Sequence, residues 1–511
     1  MAAIMALTAC SGSSPGVADG SESSGGAPRA GGDLVIARAA DAISMNNTTT
    51  FDNNSIFIFE QIMEPLFTVT DDGADVKPWL ASAYELSPDN LTYTIHLRQG
   101  VKFSDGSPLT AKDVKFSIDQ DSKTAATGWG YINAAIKDVS VVDDATVKIV
   151  LKYPWAPFIA DLSLFSNGIV PENYGGKSAE AFYEAPVGTG PFVWGEWKKG
   201  QSLKLTRNPN YWQQGKPYVN SVTWNVVPDA NTRKLQLQGG QIDVDEQPDW
   251  SSFSSLEDAP GVKALTFPST QIDYVAFNQL RKPFDDVHVR RAIAFAIDRD
   301  ALIKAVLFGH GTPANSLLPQ GTPFHDEHAA GPKLDVNMAK QELAASSMPH
   351  GFDTTLLIRS GDANQASVAQ ILQSELKELG ITMRIKQLDP TANKQARLKS
   401  DFDMTLSAWT MDIPDPDEWT SFAVDPNGGS ASAFTHYNNP AVVSLNKQAQ
   451  REVDRAKRAE LYTQLQDMTG NDAFLAYTYY SPYAYAISAK VKDFSVTPLG
   501  NYHLENVSKA K

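Results

Sequence analysis

The segment from residue 354 to residue 385 changes its apolar spacing twice, and this change constrains the fold strongly. Residues 354–358 are short and apolar, as a buried strand is. The next apolar residues have helical spacing and stop before Gly380; they are Val368, Ile371, Leu372, Leu376 and Leu379. Ile381, Met383 and Ile385 then alternate with other residues, which is typical of a second strand. This order predicts a parallel crossover unit, so this part of the chain should be α/β.

Length and charge narrow the class of protein. A chain of 511 residues exceeds what one hydrophobic core normally organises, so at least two lobes are expected. Its 42% apolar and 20% charged residues are ordinary for a soluble globular protein. The 44 basic and 59 acidic residues give a net charge of −15, which disfavours non-specific binding to nucleic acid. No stretch of the sequence is long and apolar enough to span a bilayer.

A second informative segment runs from residue 84 to residue 117. The alternation between Tyr93 and Leu97 predicts a half-buried strand. The sequence Ser-Asp-Gly at residues 104–106 supplies turn chemistry, and Thr110 can cap a helix with Asp113 in its first turn. The residues alone therefore predict a strand, a turn and a helix, without a function.

This segment resembles the signature region of the family 5 extracellular solute-binding proteins, the receptors of peptide and nickel ABC importers. Further segments that resemble family landmarks follow in the same order along most of the chain. They are Glu64-Pro65-Leu66-Phe67, Gly188-Thr189-Gly190-Pro191-Phe192, Arg207-Asn208-Pro209-Asn210-Tyr211-Trp212, Phe277-Asn278, Pro283-Phe284-Asp285-Asp286, Val289-Arg290-Arg291-Ala292-Ile293 and Ala296-Ile297-Asp298-Arg299. So many segments in one order make chance similarity a negligible explanation.

The resemblance implies an α/β, two-lobed periplasmic-binding-protein fold of type II, similar to cluster C, with an extra subdomain in the first lobe and two hinge crossings. We expect lobe I to comprise residues 33–278 and 480–511, with the extra subdomain at about 65–185, and lobe II to comprise residues 279–479. The crossings are expected near Phe277-Asn278 and between Tyr477 and Pro482. A small ligand would then be enclosed between the lobes by hinge closure.

The only cysteine, Cys10, follows Leu7-Thr8-Ala9, which resembles a bacterial lipobox. Residues 1–10 are therefore interpreted as a truncated lipoprotein signal peptide, with the Cys10 thiol as the site of lipid attachment. Residues 11–32 are rich in glycine and serine and are expected to form a disordered tether. This arrangement predicts a protein that is lipid-anchored at the extracellular face of the cell membrane, or in the periplasmic space. We also expect the protein to be a monomer.

The sharpest candidate for a binding residue is Asp412, in the acidic segment from Ala408 to Glu418. Two prolines exclude a helix interior there and place several carboxylates on a rigid loop after a strand. In peptide-binding members of the family, the aspartate at the matching position holds the α-ammonium group of the ligand. Asp412 is therefore expected to bind a peptide amino terminus, although a turn whose acids bind loop amides has the same sequence.

Five other residues are candidates for ligand binding. Trp409 and Trp129 would wall the pocket from the two lobes, although large aromatic residues often belong to the core. Arg359, at the end of a predicted strand, would pair with a ligand carboxylate, unless it is a solvated strand end. Asp41-Ala42 resembles the segment that lines the cleft from the first lobe.

The expected function is capture of di- or oligopeptides and their delivery to an ABC permease, with no catalytic residue, cofactor or metal. The alternative within the family is another solute, such as a nickel chelate or a sugar. A different class, a hydrolase that uses Asp412 and Asp415 as paired acids, is also conceivable. The segment His325-Asp326-Glu327-His328 lacks an obvious third metal partner and is interpreted as a solvated loop.

Overall fold

The computed structural model describes residues 30–428 and 431–510. Its α-helices are α1 (Asn53–Phe59), α2 (Ala111–Ser122), α3 (Phe158–Asp161), α4 (Ala179–Glu184), α5 (Ala230–Gln238), α6 (Trp250–Glu257), α7 (Val287–Ala296), α8 (Arg299–Val306), α9 (Val336–Ala345), α10 (Ala363–Lys377), α11 (Pro390–Leu398), α12 (Asp417–Val424), α13 (Pro440–Arg451) and α14 (Arg455–Asp472). Its strands are β1 (Asp33–Arg38), β2 (Phe67–Val69), β3 (Val76–Pro78), β4 (Ala81–Leu86), β5 (Thr92–Leu97), β6 (Ile136–Asp143), β7 (Thr146–Leu151), β8 (Phe192–Lys198), β9 (Ser202–Arg207), β10 (Ser221–Val226), β11 (Val244–Glu246), β12 (Val262–Phe277), β13 (Thr312–Pro313), β14 (Asp353–Arg359), β15 (Thr382–Leu388), β16 (Met404–Trp409), β17 (Leu475–Ser488), β18 (Val491–Lys492) and β19 (Ser508–Lys509).

The predicted crossover unit is confirmed as β14, α10 and β15. The two strands pair in parallel along their whole length, from Asp353 opposite Thr382 to Arg359 opposite Leu388. The side chain of Asp362 caps the start of α10. After the helix, Gly380 has a φ of 77°, a left-handed conformation that suits glycine and turns the chain into β15.

One large mixed sheet runs through the whole fold, in the order β15-β14-β16-β12-β17-β11-β1-β10-β9-β8. Its two central strands, β12 and β17, are long and antiparallel, and their register shifts between Phe267 and Gln271. Before the shift β17 also pairs with β11, and after it β12 also pairs with β16. We therefore place one chain crossing between the lobes at residues 268–270, ahead of the predicted Phe277-Asn278. We place the other crossing opposite, near Pro482.

A separate four-stranded sheet, in the order β4-β5-β7-β6, carries α2. Its buried side chains belong to a cluster that runs from Leu66 to Ile169, inside the range expected for the extra subdomain. The strand and helix predicted between residues 84 and 117 are β5 and α2. Asp113 accepts hydrogen bonds from the Thr110 backbone and hydroxyl groups, both at 2.7 Å, so the predicted cap is confirmed.

Three of the landmark segments meet at one buried carboxylate, that of Glu64. Its Oε1 atom accepts hydrogen bonds from the Trp79 indole at 2.8 Å and from the Tyr211 hydroxyl at 3.1 Å. Its Oε2 atom accepts from the Thr189 hydroxyl at 2.7 Å and from the Trp212 indole at 3.1 Å. Burial raises the pKa of Glu64 to about 7, although these four donors act in the opposite direction. This carboxylate joins four distant parts of the chain.

No helix within the described ranges combines the length and the apolar character needed to cross a bilayer.

Candidate functional site

A cavity of about 840 Å³ lies where the two lobes face each other. Its polar and aromatic lining comes from both sides and includes Asn53, Phe57, Gln247, Tyr483 and Tyr485 from lobe I and Arg359, Asp362, Asn393, Arg397, Ser407 and Thr410 from lobe II. A second depression, of about 930 Å³, is lined by α13, α14 and neighbouring residues of lobe II alone. Because only the first cavity draws on both lobes, we regard it as the candidate ligand site.

One end of the site is acidic. Asp412 lies two residues beyond Thr410 of the cavity wall, and its backbone N–H donates to Oε2 of Glu418 at 2.7 Å. Burial raises the pKa of both carboxyl groups, and the negative charge of Asp412 raises that of Glu418 further, so the pair holds a proton more readily than isolated acids. Glu418 is only 5% exposed, and its Oε1 atom has no hydrogen-bond partner among the described residues.

Lobe I adds a third acid, Glu60, to this end. Burial raises the pKa of Glu60 to about 8, against the effect of a 2.7 Å hydrogen bond from Asn501, and the charge of Asp412 contributes to the rise. Its Oε2 atom also lacks a partner among the described residues. Burial, together with the charges of Asp412 and Glu60, raises the pKa of Tyr483, which lines the cavity. None of these three acids lines the cavity itself, but the charges of Asp412 and Glu60 act on Tyr483 of its wall, so this end of the cavity favours a positive charge.

Tyr131 of lobe I faces the same acids. Its side chain is 44% exposed, and burial of the remainder together with the charges of Glu418 and Asp412 raises its pKa. Trp129 is the aromatic residue of this segment that was expected to line the pocket. Trp129 is instead 4% exposed, donates its indole N–H to the Thr50 carbonyl at 2.8 Å, and packs against Phe165. Trp129 does not line the cavity, and Tyr131 is the side chain of this segment that approaches the acids.

Arginine residues lie at another part of the cavity. Arg359 is half exposed and donates from Nη2 to Oδ2 of Asp362 at 2.8 Å. A second arginine, Arg397, lines the cavity as well. The site therefore offers cationic groups in addition to the acids near Asp412.

The predicted roles of Trp409 and of Asp41-Ala42 do not agree with their surroundings. The Trp409 ring packs on Trp419 and Phe422, with centroid distances of 5.2 and 4.0 Å, and the cavity is lined instead by its neighbours Ala408 and Thr410. Asp41 accepts from the Trp197 indole at 3.0 Å and from the Gly200 N–H at 2.6 Å, so it holds the turn between β8 and β9. Ala42 is 5% exposed, packs in the core of lobe I and does not line the cavity. The contacts of Trp409, Asp41 and Ala42 therefore stabilise the fold and are made with other parts of the protein.

Asp415, the second acid that the hydrolase alternative needs, forms a buried ion pair with Arg458. Oδ1 and Oδ2 of Asp415 accept from the Arg458 guanidinium at 2.8 and 2.5 Å, and both side chains are 8% exposed. In the described ranges, no group of three or more His, Cys, Asp and Glu side chains is placed to hold a metal ion. Cys10, the expected lipid attachment site, lies outside the described residues.

Glu60, Tyr131, Tyr483 and Arg397 were not identified from the sequence. Glu60 carries the clearest local signal, since it follows four consecutive buried apolar residues at the end of α1. An acid at the end of such a run is costly to bury without a partner. The other three have no sequence signal that separates them from ordinary core or surface residues.

The two lobes also touch outside the cavity. The N–H of Ala156 in lobe I donates to the carbonyl of Gln450 in α13 at 2.8 Å. Beside this bond, the Arg451 guanidinium lies 4.9 Å from the centre of the Tyr153 ring. These contacts join the extra subdomain to lobe II across the cleft.

The structure defines a two-lobed α/β binding protein, and solved structures with the same fold are known. It resembles the periplasmic binding protein DppA from Helicobacter pylori in complex with peptide STSA, with a TM-score of 0.85 and 27% identity over 94% of this chain and 99% of that one. It also resembles the substrate-binding protein CtaP from Listeria monocytogenes, with a TM-score of 0.85 and 26% identity over 94% of this chain and 100% of that one.

The family model for bacterial extracellular solute-binding proteins, family 5 middle, matches residues 75–431, and the chain belongs to this family. Among its relatives, the probable D,D-dipeptide-binding periplasmic protein DdpA of Escherichia coli is 29% identical over 91% of this chain and 92% of its own length. The glutathione-binding protein GsiB of Salmonella typhi is 30% identical over 85% and 86%. Heme-binding protein A of Haemophilus influenzae is 28% identical over 86% and 85%. The expected family and fold are confirmed.

Proposed function

We propose that this protein captures di- or oligopeptides in the interlobe cavity and delivers them to an ABC permease, without catalysing a reaction. The observation that carries this proposal is the pair Asp412 and Glu418, two buried carboxyl groups that hydrogen-bond each other, have no basic partner among the described residues and lie just beyond Thr410 of the cavity wall. A ligand ammonium group supplies the missing charge.

The energetics favour a charged amino terminus over a neutral group. A hydrogen bond between an ammonium and a carboxylate contributes about 1.5–3 kcal/mol. A buried charge without its partner costs about 3–5 kcal/mol. Asp412 would therefore select ligands with a free amino group, while Arg359 would receive a carboxylate. A peptide carries both groups at opposite ends.

The relatives support a peptide ligand and also keep one alternative open. DdpA, GsiB and the peptide-bound DppA are described as binding peptides or glutathione, whereas heme-binding protein A is not. The alternative is the same transport role for a non-peptide solute such as a chelate or a sugar. The ion pair that occupies Asp415 argues against a hydrolase with two free acids.

We also propose that the protein works as a monomer at the outer face of the cell membrane or in the periplasm, held by a lipid on Cys10. The family of extracellular solute-binding proteins supports this location. The glycine- and serine-rich segment after Cys10 would let the domain reach its permease. Palmitate labelling of the full chain, lost in Cys10→Ala, tests the anchor.

Native mass spectrometry of the folded domain, purified from cells in rich medium, tests the ligand class. We expect bound masses that resolve into a series of short peptides, since main-chain and terminal contacts tolerate many side chains. Recovery of a single non-peptide mass would contradict the peptide assignment and favour the alternative. Continuous turnover of an added peptide would contradict a transport role without catalysis.

The contact between Arg451 and Tyr153 should slow ligand release. An exposed cation–π contact contributes about 0.5–1 kcal/mol, so Arg451→Ala should raise the dissociation rate of a bound peptide about 2- to 5-fold. Stopped-flow tryptophan fluorescence measures this rate. Lys199→Ala is the matched control, because Lys199 lies 4.8 Å from the Trp197 ring within a single hairpin of lobe I. Equal rates in the two variants would show that the interlobe contact does not hold the lobes together.

A further inference from the structure

Arg397, in the last turn of α11, lines the cavity with few partners of its own. Its Nη1 atom donates to the Ser407 hydroxyl at 3.2 Å, and its guanidinium carbon lies 5.1 Å from the centre of the Phe434 ring. Its Nε atom is buried and has no hydrogen-bond partner among the described residues. A guanidinium has five N–H donors, so most of its hydrogen-bonding capacity is unused.

Most buried arginines elsewhere in the described structure are bound more completely; the exception is Arg299, whose Nε atom also lacks a partner although its other nitrogen atoms donate to backbone carbonyl groups. Arg38, Arg233 and Arg458 each form an ion pair with a buried carboxylate, at 2.8, 2.7 and 2.5 Å. Arg290 instead donates to several backbone carbonyl groups, the nearest at 2.8 Å. Arg397 has neither a carboxylate nor a carbonyl acceptor in the described part of the chain.

The acids nearest to this part of the cavity already have partners. Asp362 pairs with Arg359. Asp273 accepts from the Gln271 amide at 2.9 Å and from the Ser481 hydroxyl at 2.8 Å. Burial lowers the pKa of Arg397, Tyr274 acts in the opposite direction, and the positive charge of Arg359 lowers it again. Both guanidinium groups line the same cavity and carry the same charge, so they repel each other. An anion between them would relieve that repulsion.

We propose that Arg397 and Arg359 together bind the carboxylate of the ligand, with Arg397 as the second anion contact and a determinant of specificity. This inference rests on the proposed function and deepens it. Two guanidinium groups can offer paired N–H donors to one carboxylate, a geometry that a single exposed arginine already paired with Asp362 does not provide. The cavity then discriminates free acids from ligands with a neutral end.

Isothermal titration calorimetry with alanine di-, tri- and tetrapeptides, each as the free acid and as the C-terminal amide, tests the proposal. We expect the wild-type protein to prefer the acid, and Arg397→Gln to lower affinity for the acid about 10- to 100-fold while affinity for the amide changes little. Arg397→Lys keeps the charge and should retain part of the preference. Arg384→Gln is the matched control, since Arg384 is 72% exposed and pairs with Asp353 away from the cavity.

The outcomes distinguish an error in the role of Arg397 from an error in the proposed peptide-binding function. Suppose that the wild-type protein prefers the free-acid peptide and that Arg397→Gln lowers the affinity for the acid and for the amide by the same factor. Arg397 then only supports the fold, so the inference is wrong while the proposed function stands. The same holds if Arg397→Gln keeps the full preference. If the wild-type protein binds none of the peptides, both the peptide function and this inference fail. Thermal melting of both Arg397 variants confirms that they fold.

Discussion

Asp412→Asn should lower the affinity for peptides with a free amino terminus by about 100-fold or more. The substitution keeps the shape of the side chain but removes the charge that would pair with the ligand ammonium. A buried ammonium without its partner costs about 3–5 kcal/mol, which sets this magnitude. Titration calorimetry of wild type and variant with the alanine tripeptide measures the change.

The N-acetylated tripeptide is the control for this prediction. Because it carries no ammonium group, it should bind weakly to the wild-type protein, and Asp412→Asn should change its affinity little. Unchanged affinity for the free-amino peptide, in a variant that melts like the wild type, would remove Asp412 from the site.

The dependence of affinity on pH gives a second measurement of the same interaction. Burial raises the pKa of Asp412 in the free protein, and a bound ammonium would lower it again. The affinity for the peptide should therefore be at its maximum above the raised pKa. It should fall, by at most about tenfold per pH unit, as the pH drops below that pKa. The dependence should weaken in Asp412→Asn. A wild-type affinity that rises on acidification would contradict this assignment.

The sequence was sufficient to predict the elements whose periodicity is unambiguous. The order β14, α10, β15, the capped helix α2 and the two-lobed α/β fold are all confirmed. Of the residues chosen for the site, Arg359 lines the cavity, and Asp412 does not line it but lies two residues beyond the lining residue Thr410. Arg359 is the last residue of β14, and Asp412 follows β16 in a segment whose neighbouring side chains are mostly buried.

The remaining site residues depend on information that local sequence lacks. Trp409 is the last residue of β16, whose first three residues are buried and whose last three are only partly buried or exposed, and alternation alone does not show which of these side chains meet the cavity. Tyr131 and Glu60 belong to lobe I, yet their electrostatic partner Asp412 belongs to lobe II. Their proximity is a consequence of how the lobes dock, which no periodicity encodes.

The landmark segments themselves have a structural explanation. Segments 64–67, 188–192 and 207–212 converge on the carboxylate of Glu64, and Asn208 adds a hydrogen bond to the Gly190 carbonyl at 2.7 Å. A Cβ atom at Gly188 would lie 1.9 Å from the Ile62 carbonyl oxygen, so only glycine fits there. These segments are therefore constrained by the fold of lobe I, and they carry no information about the ligand.

Glu64→Leu should consequently lower the free energy of unfolding by about 3–5 kcal/mol. The substitution is close in volume, but it leaves two indole N–H groups and two hydroxyl groups around a buried site without their common acceptor. Glu64→Gln keeps one carbonyl acceptor and should lose less, about 1–3 kcal/mol. The midpoint of urea denaturation, followed by tryptophan fluorescence and circular dichroism, measures both changes.

Glu196→Leu is the matched control for this loss. Glu196 is 66% exposed and pairs with Lys198 at 3.3 Å on the surface, so its replacement should change stability by less than about 1 kcal/mol. Since Glu64 does not line the cavity, the Glu64 variants should bind peptide with wild-type affinity below their unfolding transitions. A Glu64→Leu protein as stable as the wild type would contradict the structural role of the landmark segments. Selective loss of peptide affinity with full stability would instead connect those segments to the ligand site.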